Sequence, residues 1–389
     1  MNFALVLSRK IDNDYVATGP FMNQPLLLHV VERLEGLIGK LPATIQKPIL
    51  SELTPLKELF LQQRPPRLLF AGSDKMPLPR LLEMIFGSAF PKQPADTAVE
   101  VYHWKDFGMS DHGTMSIFDA RGADDSNAAQ MEEELARQPA DVIVFVDDGE
   151  SARGPRKIDM ENLLSCARLN QQAKIVALST AEERAARIRS ALEGGAAIRE
   201  RLLNVFPARE TKKLMSILAR ELPNQARIEM IRVSRDKDAQ HEVAQVLVKS
   251  TTAICTAIGA QPIPLADMPI LTTLQLVMVS GIMYISGRER SLRAATEFVG
   301  AIGANVGAGM LLREGTRAIL KFFPGWGNLI SGAVAGAGTY SIGRAAEVFF
   351  LEGVSLKDAR RTYIKSRKKP LPPELPAPRQ QKKRRTTGK

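Results

Sequence analysis

The sequence has few of the residues from which disulfides and metal sites are built. Its 389 residues include only two cysteines, Cys166 and Cys255, which lie far apart, and only four histidines, which are scattered. No CxxC pair or ligand spacing typical of zinc results from this distribution. The composition therefore predicts buried free thiols in a reducing compartment and argues against a metalloenzyme.

A secretion signal is also missing from the N-terminal residues. The apolar run there is too short for the core of a signal peptide, and its basic residues follow that run instead of preceding it. We therefore expect no export of the chain.

Positive charge is concentrated in the last 25 residues. The net charge of the chain is +11, and residues 365–389 contribute +9 of it through ten Lys or Arg residues and one Glu. The segment is also rich in proline, so it cannot bury a core and is predicted to be disordered. Its expected partner is anionic lipid or another polyanion such as RNA, and a purely solubilising tail is the alternative.

The most informative stretch is residues 65–87, which is typical of a strand, a tight loop and a helix. Aligned on Gly72, the phosphate-binding pattern G-x-x-x-x-G-K-[ST] requires Gly, Lys and Ser or Thr at the positions of Pro77, Leu78 and Pro79. Each proline removes a backbone N–H that a phosphate would use, and Lys75 is displaced from the lysine position. The loop is therefore either a degenerate phosphate site or an ordinary turn whose prolines begin a helix.

Two further segments have the spacing of nucleotide-contacting motifs. Asp119 and Gly122 form a D-x-x-G, the spacing by which GTPases contact Mg²⁺ through Asp and the γ-phosphate through the Gly N–H. Where a GTPase has N-K-x-D to bind guanine, residues 179–182 read Ser-Thr-Ala-Glu, and only Glu182 keeps a carboxylate. The alternative for this second segment is a helix cap formed by a hydroxyl group.

Alternating strands and helices predict a doubly wound α/β domain in the middle of the chain. The predicted strands are residues 67–71, 98–104, 114–118, 141–147, 174–178 and 227–233, with a turn at 108–113. The predicted helices are residues 78–86, 127–137, 160–170, 182–205, 210–222 and 238–258. Two amphipathic helices, at 26–41 and 45–61, precede this domain and form an N-terminal extension.

The C-terminal half contains three stretches without charge, at residues 269–287, 298–312 and 322–343. Two of them approach the ~20 residues needed to span a bilayer. Glycines four apart, at 303 and 307 and at 332 and 336, allow helices to approach closely. Insertion into or contact with a membrane and a tightly packed soluble helical bundle are both compatible with this pattern.

Particular segments carry a family resemblance. Residues 53–59 and 64–67, with the strand, loop and helix that follow, resemble Era-type bacterial GTPases of the translation-factor-related class. The region 260–353 is similar to the YcjF-like domain of unknown function, on residues 261–267, 321–327 and 337–343. The resemblance implies a P-loop-GTPase-like α/β domain followed by an all-α hydrophobic domain, located in the cytoplasm or at the cytoplasmic face of the inner membrane.

The predicted organisation has four parts. They are an N-terminal helical extension (1–63), a degenerate GTPase-like α/β domain (64–258), a hydrophobic Gly-rich helical domain (259–358) and a basic disordered tail (359–389). The resemblance implies a switch threonine at Thr97 and a Mg²⁺ ligand at Asp119. The candidate nucleotide site thus comprises Gly72, Lys75, Thr97, Asp119, Gly122 and Glu182, and it holds GTP and Mg²⁺ only if the degenerate loop still functions.

Three functions remain open from the sequence. The first is a pseudo-GTPase, a scaffold or partner-binding module coupled to a membrane-associated helical domain, since the phosphate-transfer machinery is lost. The second is an atypical GTPase that binds GTP weakly and acts as a membrane-linked switch. The third is a nucleic-acid or ribosome binder acting through the basic tail. No catalytic residue is assigned, the protein partner is not identified, and a homo-oligomer is a further alternative.

Overall fold

The computed structural model describes two compact units. The described residues are 36, 39, 43–60, 62–87, 90, 102–109, 113–123, 126–149, 154–179, 182–207, 210–260, 267–303 and 327–367. Residues 63–239 form one unit, and residues 1–62 and 240–389 form the other. We call them the α/β unit and the helical unit.

A six-stranded mixed sheet forms the centre of the α/β unit. Its strands are β1 (Arg67–Gly72), β2 (Trp104–Met109), β3 (Gly113–Asp119), β4 (Val142–Asp147), β5 (Lys174–Ser179) and β6 (Leu202–Pro207). The strand order is β2-β3-β1-β4-β5-β6, and every neighbouring pair is parallel except β2 with β3. Every residue of β4 is buried, as expected for a parallel strand covered on both faces.

Helices connect the strands of this unit. They are α2 (Leu78–Phe86), α3 (Ala128–Arg137), α4 (Lys157–Leu169), α5 (Ala185–Glu193), α6 (Ala196–Arg199), α7 (Thr211–Glu221) and α8 (Asn224–Ser234), with a 3₁₀ turn at Glu182–Arg184. Buried side chains of α3, α4 and α5, including Leu135, Leu163 and Ile188, form a continuous core with the sheet. The mixed α/β fold predicted from the alternation of elements is confirmed at this level.

Two of the predicted elements in this unit are wrong. Residues 227–233, predicted as a strand, lie in helix α8, where Ile228, Met230 and Ile231 are all buried. A short apolar run buried on several sides has no clear period, so strand and helix could not be distinguished. The helix predicted over 182–205 instead ends at Glu193, before Gly194 and Gly195. The last residues of the predicted helix, 202–205, belong to the edge strand β6.

The region around β2 differs from the prediction as well. The predicted strand at 98–104 overlaps β2 only at Trp104, and its other described members, His103 and Tyr102, precede the strand. The predicted turn at 108–113 is shorter, because Gly108 and Met109 still pair with β3. Most of the predicted helix at 26–41 lies outside the described residues.

The helical unit is built from six described helices. They are α1 (Ala43–Phe60), α9 (Lys237–Gly259), α10 (Asp267–Ile285), α11 (Leu292–Gly303), α12 (Gly327–Phe350) and α13 (Leu356–Arg367). Helix α10 packs against α11 and α12, and α13 packs against α11 and α12. The hydroxyl of Ser250 on α9 donates to the carboxylate of Glu52 on α1 at 2.7 Å.

The boundary between the units falls at residues 239 and 240, whereas the sequence predicted 258 and 259. Most of α9 therefore belongs to the helical unit. Its contacts explain this assignment, since the Gln240 amide donates to the Ile285 carbonyl at 3.1 Å, and Val248 packs against Gly343. Helix α1, predicted within a separate N-terminal extension, belongs to the same unit.

Two glycines of α12 allow close approach to α9. A Cβ atom at Gly332 would lie 2.7 Å from the backbone oxygen of Thr256, and one at Gly343 would lie 2.5 Å from Val248 Cγ2. Both distances are too short for any residue but glycine. Gly332, one of the glycines predicted to allow close helix packing, therefore does so, and Gly343 provides a second close contact that the spacing did not predict.

Helix α13 corrects part of the predicted tail. Residues 359–367 were predicted to be disordered, but they continue a helix that begins at Leu356. Ser355 caps this helix, with its hydroxyl accepting from the Asp358 N–H at 3.2 Å and donating to the Asp358 carboxylate at 2.6 Å. Ala359 and Tyr363 are buried, which fixes one face of the helix.

Where the chain is described, no helix combines the length and the apolar character needed to cross a bilayer.

Candidate functional site

The candidate site lies at the carboxyl ends of the central parallel strands, where ligands bind in open α/β sheets. Strand β1 ends at Gly72, β3 at Asp119 and β4 at Asp147. The pairings of β1 with β3 and of β1 with β4 bring these ends side by side. The structure therefore brings Gly72, Lys75, Asp119 and Gly122 together at one edge of the sheet.

Gly72 is required for the shape of the loop after β1. Its φ is +99°, and a Cβ atom there would lie 2.5 Å from the Val146 carbonyl oxygen. The Gly72 N–H donates to Asn162 Oδ1 at 2.9 Å, while the Asn162 amide nitrogen donates to the Ala120 carbonyl oxygen at the same distance. Asn162 of α4 thus connects the loops after β1 and β3 and occupies the first N–H of the degenerate phosphate loop.

The start of α2 provides few free N–H groups for an anion. Pro77 lies immediately before the helix and Pro79 within its first turn, so neither has an N–H to donate. Leu78, at the position of the phosphate-binding lysine, is buried with 5% of its surface exposed. The loop therefore lacks, in its structure as well as in its sequence, the N–H groups and the lysine that bind a phosphate.

Asp119 is bound by the arginine two residues after it. The Arg121 guanidinium donates to both carboxylate oxygens, from Nε at 2.7 Å and from Nη2 at 2.8 Å. Both side chains are buried, with 3% and 9% of their surfaces exposed. The third guanidinium nitrogen, Nη1, donates to the Met76 carbonyl oxygen at 2.7 Å, so that Arg121 links the D-x-x-G segment to the degenerate phosphate loop.

Gly122 donates its N–H within the protein. The N–H lies 3.3 Å from the Gly72 carbonyl oxygen, and a Cβ atom at Gly122 would lie 2.6 Å from Asp74 Oδ2. The residue also has a φ of +70°, which favours glycine. The group that a GTPase would turn toward the γ-phosphate is therefore directed into the loop itself.

A second set of ion pairs surrounds Asp148, which follows β4. Its Oδ2 accepts from the Ser73 hydroxyl at 3.3 Å and lies 3.4 Å from Arg156 Nε and 3.5 Å from Lys75 Nζ. Arg156 also makes two hydrogen bonds to Asp159, which raise the pKa of its guanidinium. Lys75, the lysine nearest the loop, is thus directed toward a carboxylate.

The end of the site near β5 is closed by a third buried pair. Arg184 in the 3₁₀ turn makes two hydrogen bonds of 2.9 Å to the carboxylate of Asp147. These bonds raise the pKa of the Arg184 guanidinium. Glu182, the predicted base-contacting carboxylate, lies in the same 3₁₀ turn. Thr97 lies outside the described residues.

The site as a whole carries a small surplus of negative charge. Its carboxylates are Asp74, Asp119, Asp147, Asp148 and Asp159, and its basic groups are Lys75, Arg121, Arg156 and Arg184. A surplus of negative charge does not attract a nucleotide phosphate. No group of three or more potential metal ligands occurs among the described residues.

Sequence reasoning missed the residues that fill the site. Arg121, Asp148, Arg156, Asn162 and Arg184 belong to no nucleotide-binding motif, and their partners are set by the fold. One signal was available in the sequence, because an arginine between the Asp and Gly of a D-x-x-G places a cation beside the metal-binding carboxylate.

No protein-family model matches the chain, and a comparison with curated proteins gives no significant match.

Proposed function

We propose that this protein is a pseudo-GTPase, in which a GTPase-like α/β unit serves as a scaffold or partner-binding module. The helical unit joined to it associates with a membrane surface. The strand order, with a single antiparallel strand at the β2 edge, is compatible with a P-loop-type α/β fold. The retained D-x-x-G and the altered phosphate loop lie together at its carboxyl edge.

The observation that carries the proposal is the buried ion pair between Arg121 and Asp119. Asp119 is the only residue of the D-x-x-G that could bind Mg²⁺, and both of its oxygens accept from Arg121. To coordinate a metal, Asp119 would have to leave its partner as an unpaired buried cation. Breaking a buried pair in this way costs on the order of 3–5 kcal/mol. The arginine therefore takes the place that a metal ion would need.

The loss of phosphate contacts supports the same conclusion. Phosphoryl transfer depends almost entirely on positioned N–H groups, a lysine, a hydroxyl and a metal ion. Here Pro77 and Pro79 have no N–H, and the N–H groups of Gly72 and Gly122 are hydrogen-bonded within the protein. What remains is a rigid arrangement of loops at the edge of the sheet, which suits a surface recognised by another protein.

The direct test is a calorimetric titration of the full chain with GTP, GDP and ATP in the presence of Mg²⁺. Protein concentrations must be high enough to detect millimolar affinity, and an active GTPase titrated in parallel shows that the assay responds. We expect no binding heat from any of the three nucleotides. Guanine-specific binding that is lost in Asp119→Ala would contradict the proposal and would make the chain a switch.

One observation favours weak GTP binding as the second candidate. Lys75 keeps 39% of its side chain exposed, and its 3.5 Å contact with Asp148 is a long ion pair. A partly exposed pair of this kind is worth little, so Lys75 could turn toward a phosphate at small cost. This candidate predicts measurable GTP affinity that Lys75→Ala lowers, whereas Lys157→Ala, at an exposed lysine of the same unit, leaves it unchanged.

A further inference from the structure

Helix α13 has a solvent-exposed face that is both basic and apolar. The helix contains five basic residues and a single acidic residue, Asp358. Lys357, Arg361 and Lys365, spaced four apart, are all exposed and lie opposite the buried residues Ala359 and Tyr363. The three side chains form one positively charged stripe along the helix.

One large apolar side chain is exposed beside this stripe. Ile364 has 45% of its surface exposed and lies about 20° around the helix from Lys357, whereas Leu356 lies on the same side as the buried Tyr363, seven residues later. Ile364 is one of five large hydrophobic residues that are exposed in the described part of the chain. Apolar groups exposed next to basic groups at helical spacing are typical of helices that lie in the interface of a bilayer.

We propose that this face of α13 docks on an anionic lipid surface, with its basic residues at the headgroups and with Ile364 in the outer acyl region. This inference rests on the membrane association proposed above and names its contact surface.

Charge complementarity favours lipid over a nucleic acid as the occupant. Both polyanions attract the basic stripe, but a phosphodiester backbone offers no apolar contact to the exposed Ile364. The described part of α13 contains one aromatic residue, Tyr363, which is buried and so cannot stack on bases. The sequence after Arg367 continues with Lys368 and Lys369, which add further positive charge to the chain.

The test compares binding of the full chain to vesicles of phosphatidylcholine alone and to vesicles containing equal parts of phosphatidylcholine and phosphatidylglycerol. We expect binding to the anionic vesicles only. The triple variant Lys357→Gln, Arg361→Gln, Lys365→Gln removes the stripe. Each basic residue near an anionic surface contributes about fivefold in binding, so the triple variant should bind on the order of 100-fold more weakly.

A matched control removes the same charge elsewhere. The variant Lys157→Gln, Lys212→Gln, Lys213→Gln loses three positive charges from exposed positions of the α/β unit. If long-range attraction by net charge explained the binding, this control would weaken it as much as the α13 variant does, and the docking proposal would be wrong. We expect the control to lose about fivefold or less.

The apolar contact is tested with Ile364→Ser, and Leu356→Ser, on the other side of the helix, is the matched control. Binding should fall about fivefold for Ile364→Ser, because an exposed apolar side chain gains free energy on leaving water, and it should change little for Leu356→Ser. The portion of binding that is lost should not depend on salt, unlike the portion carried by the basic stripe. Circular dichroism of each variant shows whether the helix content is kept. An Ile364→Ser variant that folds and binds like the wild type would overturn the proposal.

Other outcomes separate this inference from its premises. If the full chain binds no vesicle at low salt, both the docking face and the proposed membrane association are wrong. If binding is lost only when Lys382, Lys383, Arg384 and Arg385 are changed to Gln, membrane association survives and the face on α13 does not. If α13 variants lose affinity for single-stranded RNA while vesicle binding is unaffected, the occupant is nucleic acid and the lipid proposal is overturned.

Discussion

The two units differ in how completely their buried carboxylates are hydrogen-bonded. At the carboxyl edge of the sheet in the α/β unit, Asp119 and Asp147 each accept two hydrogen bonds from an arginine. In the helical unit, Glu347 on α12 is fully buried and contacts Arg344, but one of its carboxylate oxygens has no hydrogen-bond partner. The first arrangement holds loops in place, whereas the second leaves a charge that the fold does not fully compensate.

The difference shows how each unit should respond to mutation and pH. Removing one partner of a fully hydrogen-bonded charge pair costs free energy, because the other charge is left buried and unpaired. A carboxylate with an unsatisfied oxygen costs free energy as soon as it ionises, because burial disfavours the charged form. The α/β unit should therefore be sensitive to single substitutions, and the helical unit should be sensitive to pH.

The largest effect is expected from Arg121→Met in the α/β unit. The substitution leaves Asp119 buried without its cation, and loss of one partner of such a pair costs on the order of 3–5 kcal/mol in the free energy of unfolding. Urea unfolding followed by Trp104 fluorescence in a Trp326→Phe background measures this, because the chain has only these two tryptophans. The residue Trp104 lies in β2 and so reports on the α/β unit.

Two companion variants sharpen this prediction. The double variant Asp119→Leu, Arg121→Met removes both charges and should be less destabilised than the single variant. Arg137→Ala breaks an exposed pair with Glu133, whose side chains are 66% and 67% exposed, and should change little. If Arg121→Met were no worse than Arg137→Ala, the pair would not hold the loops together, and the main support for the pseudo-GTPase proposal would be lost.

The second prediction concerns Glu347 in the helical unit. Burial raises the pKa of this carboxyl from 4.5 to about 7, an effect that the nearby Arg344 opposes and Glu352 assists. As the pH rises above 4.5, the unfolded chain ionises at this residue while the native one does not, so the helical unit loses stability until native Glu347 ionises near 7. The loss attributable to this residue is about 3 kcal/mol.

Glu347→Gln tests the direction of this pH dependence of stability. The amide keeps the size of the side chain without a titrating charge, so the variant should gain stability over the wild type between pH 4.5 and 7 and keep that gain above pH 7. Hydrogen–deuterium exchange of α12 peptides across this range measures the change locally. Glu352→Gln, at an exposed position of the same segment, removes only a charge that assists the shift, so it should keep most of the wild-type pH dependence. Identical profiles for Glu347→Gln and the wild type would contradict the prediction.

Much of the α/β fold could be predicted because each strand and helix carries its own local signal. The bounds of α2 and the positions of β1, β3, β4 and β5 follow from short apolar runs and helical spacing that neighbouring residues reveal directly. Helix α8 could not be recognised, since it is buried on several sides and its period is hidden. The edge strand β6 could not be found either, because it pairs with β5 and its own residues resemble those of a helix.

The candidate site likewise contains some residues that the sequence reveals and others that it does not. Gly72, Asp119 and Gly122 were found because a motif is a local pattern. The pairing of Arg121 with Met76, or of Arg156 with Asp148, depends on which strands become neighbours, and sequence spacing does not contain that information. The sequence thus identified which nucleotide contacts are missing but not which side chains replace them.

The smallest changes in stability are expected from substitutions at two glycines of α12. Gly332→Ala places a methyl group 2.7 Å from the Thr256 backbone oxygen on α9, so the helices must separate, at a cost of about 1–3 kcal/mol. Gly338→Ala meets no atom within 4 Å, so it should stabilise the helix by about 0.5–1 kcal/mol through lower backbone entropy in the unfolded chain. Opposite changes in exchange protection of α12 are expected. Equal effects would mean that α9 and α12 do not need this close approach. The helical unit would then tolerate single substitutions in its helix packing, unlike the α/β unit at its buried ion pairs.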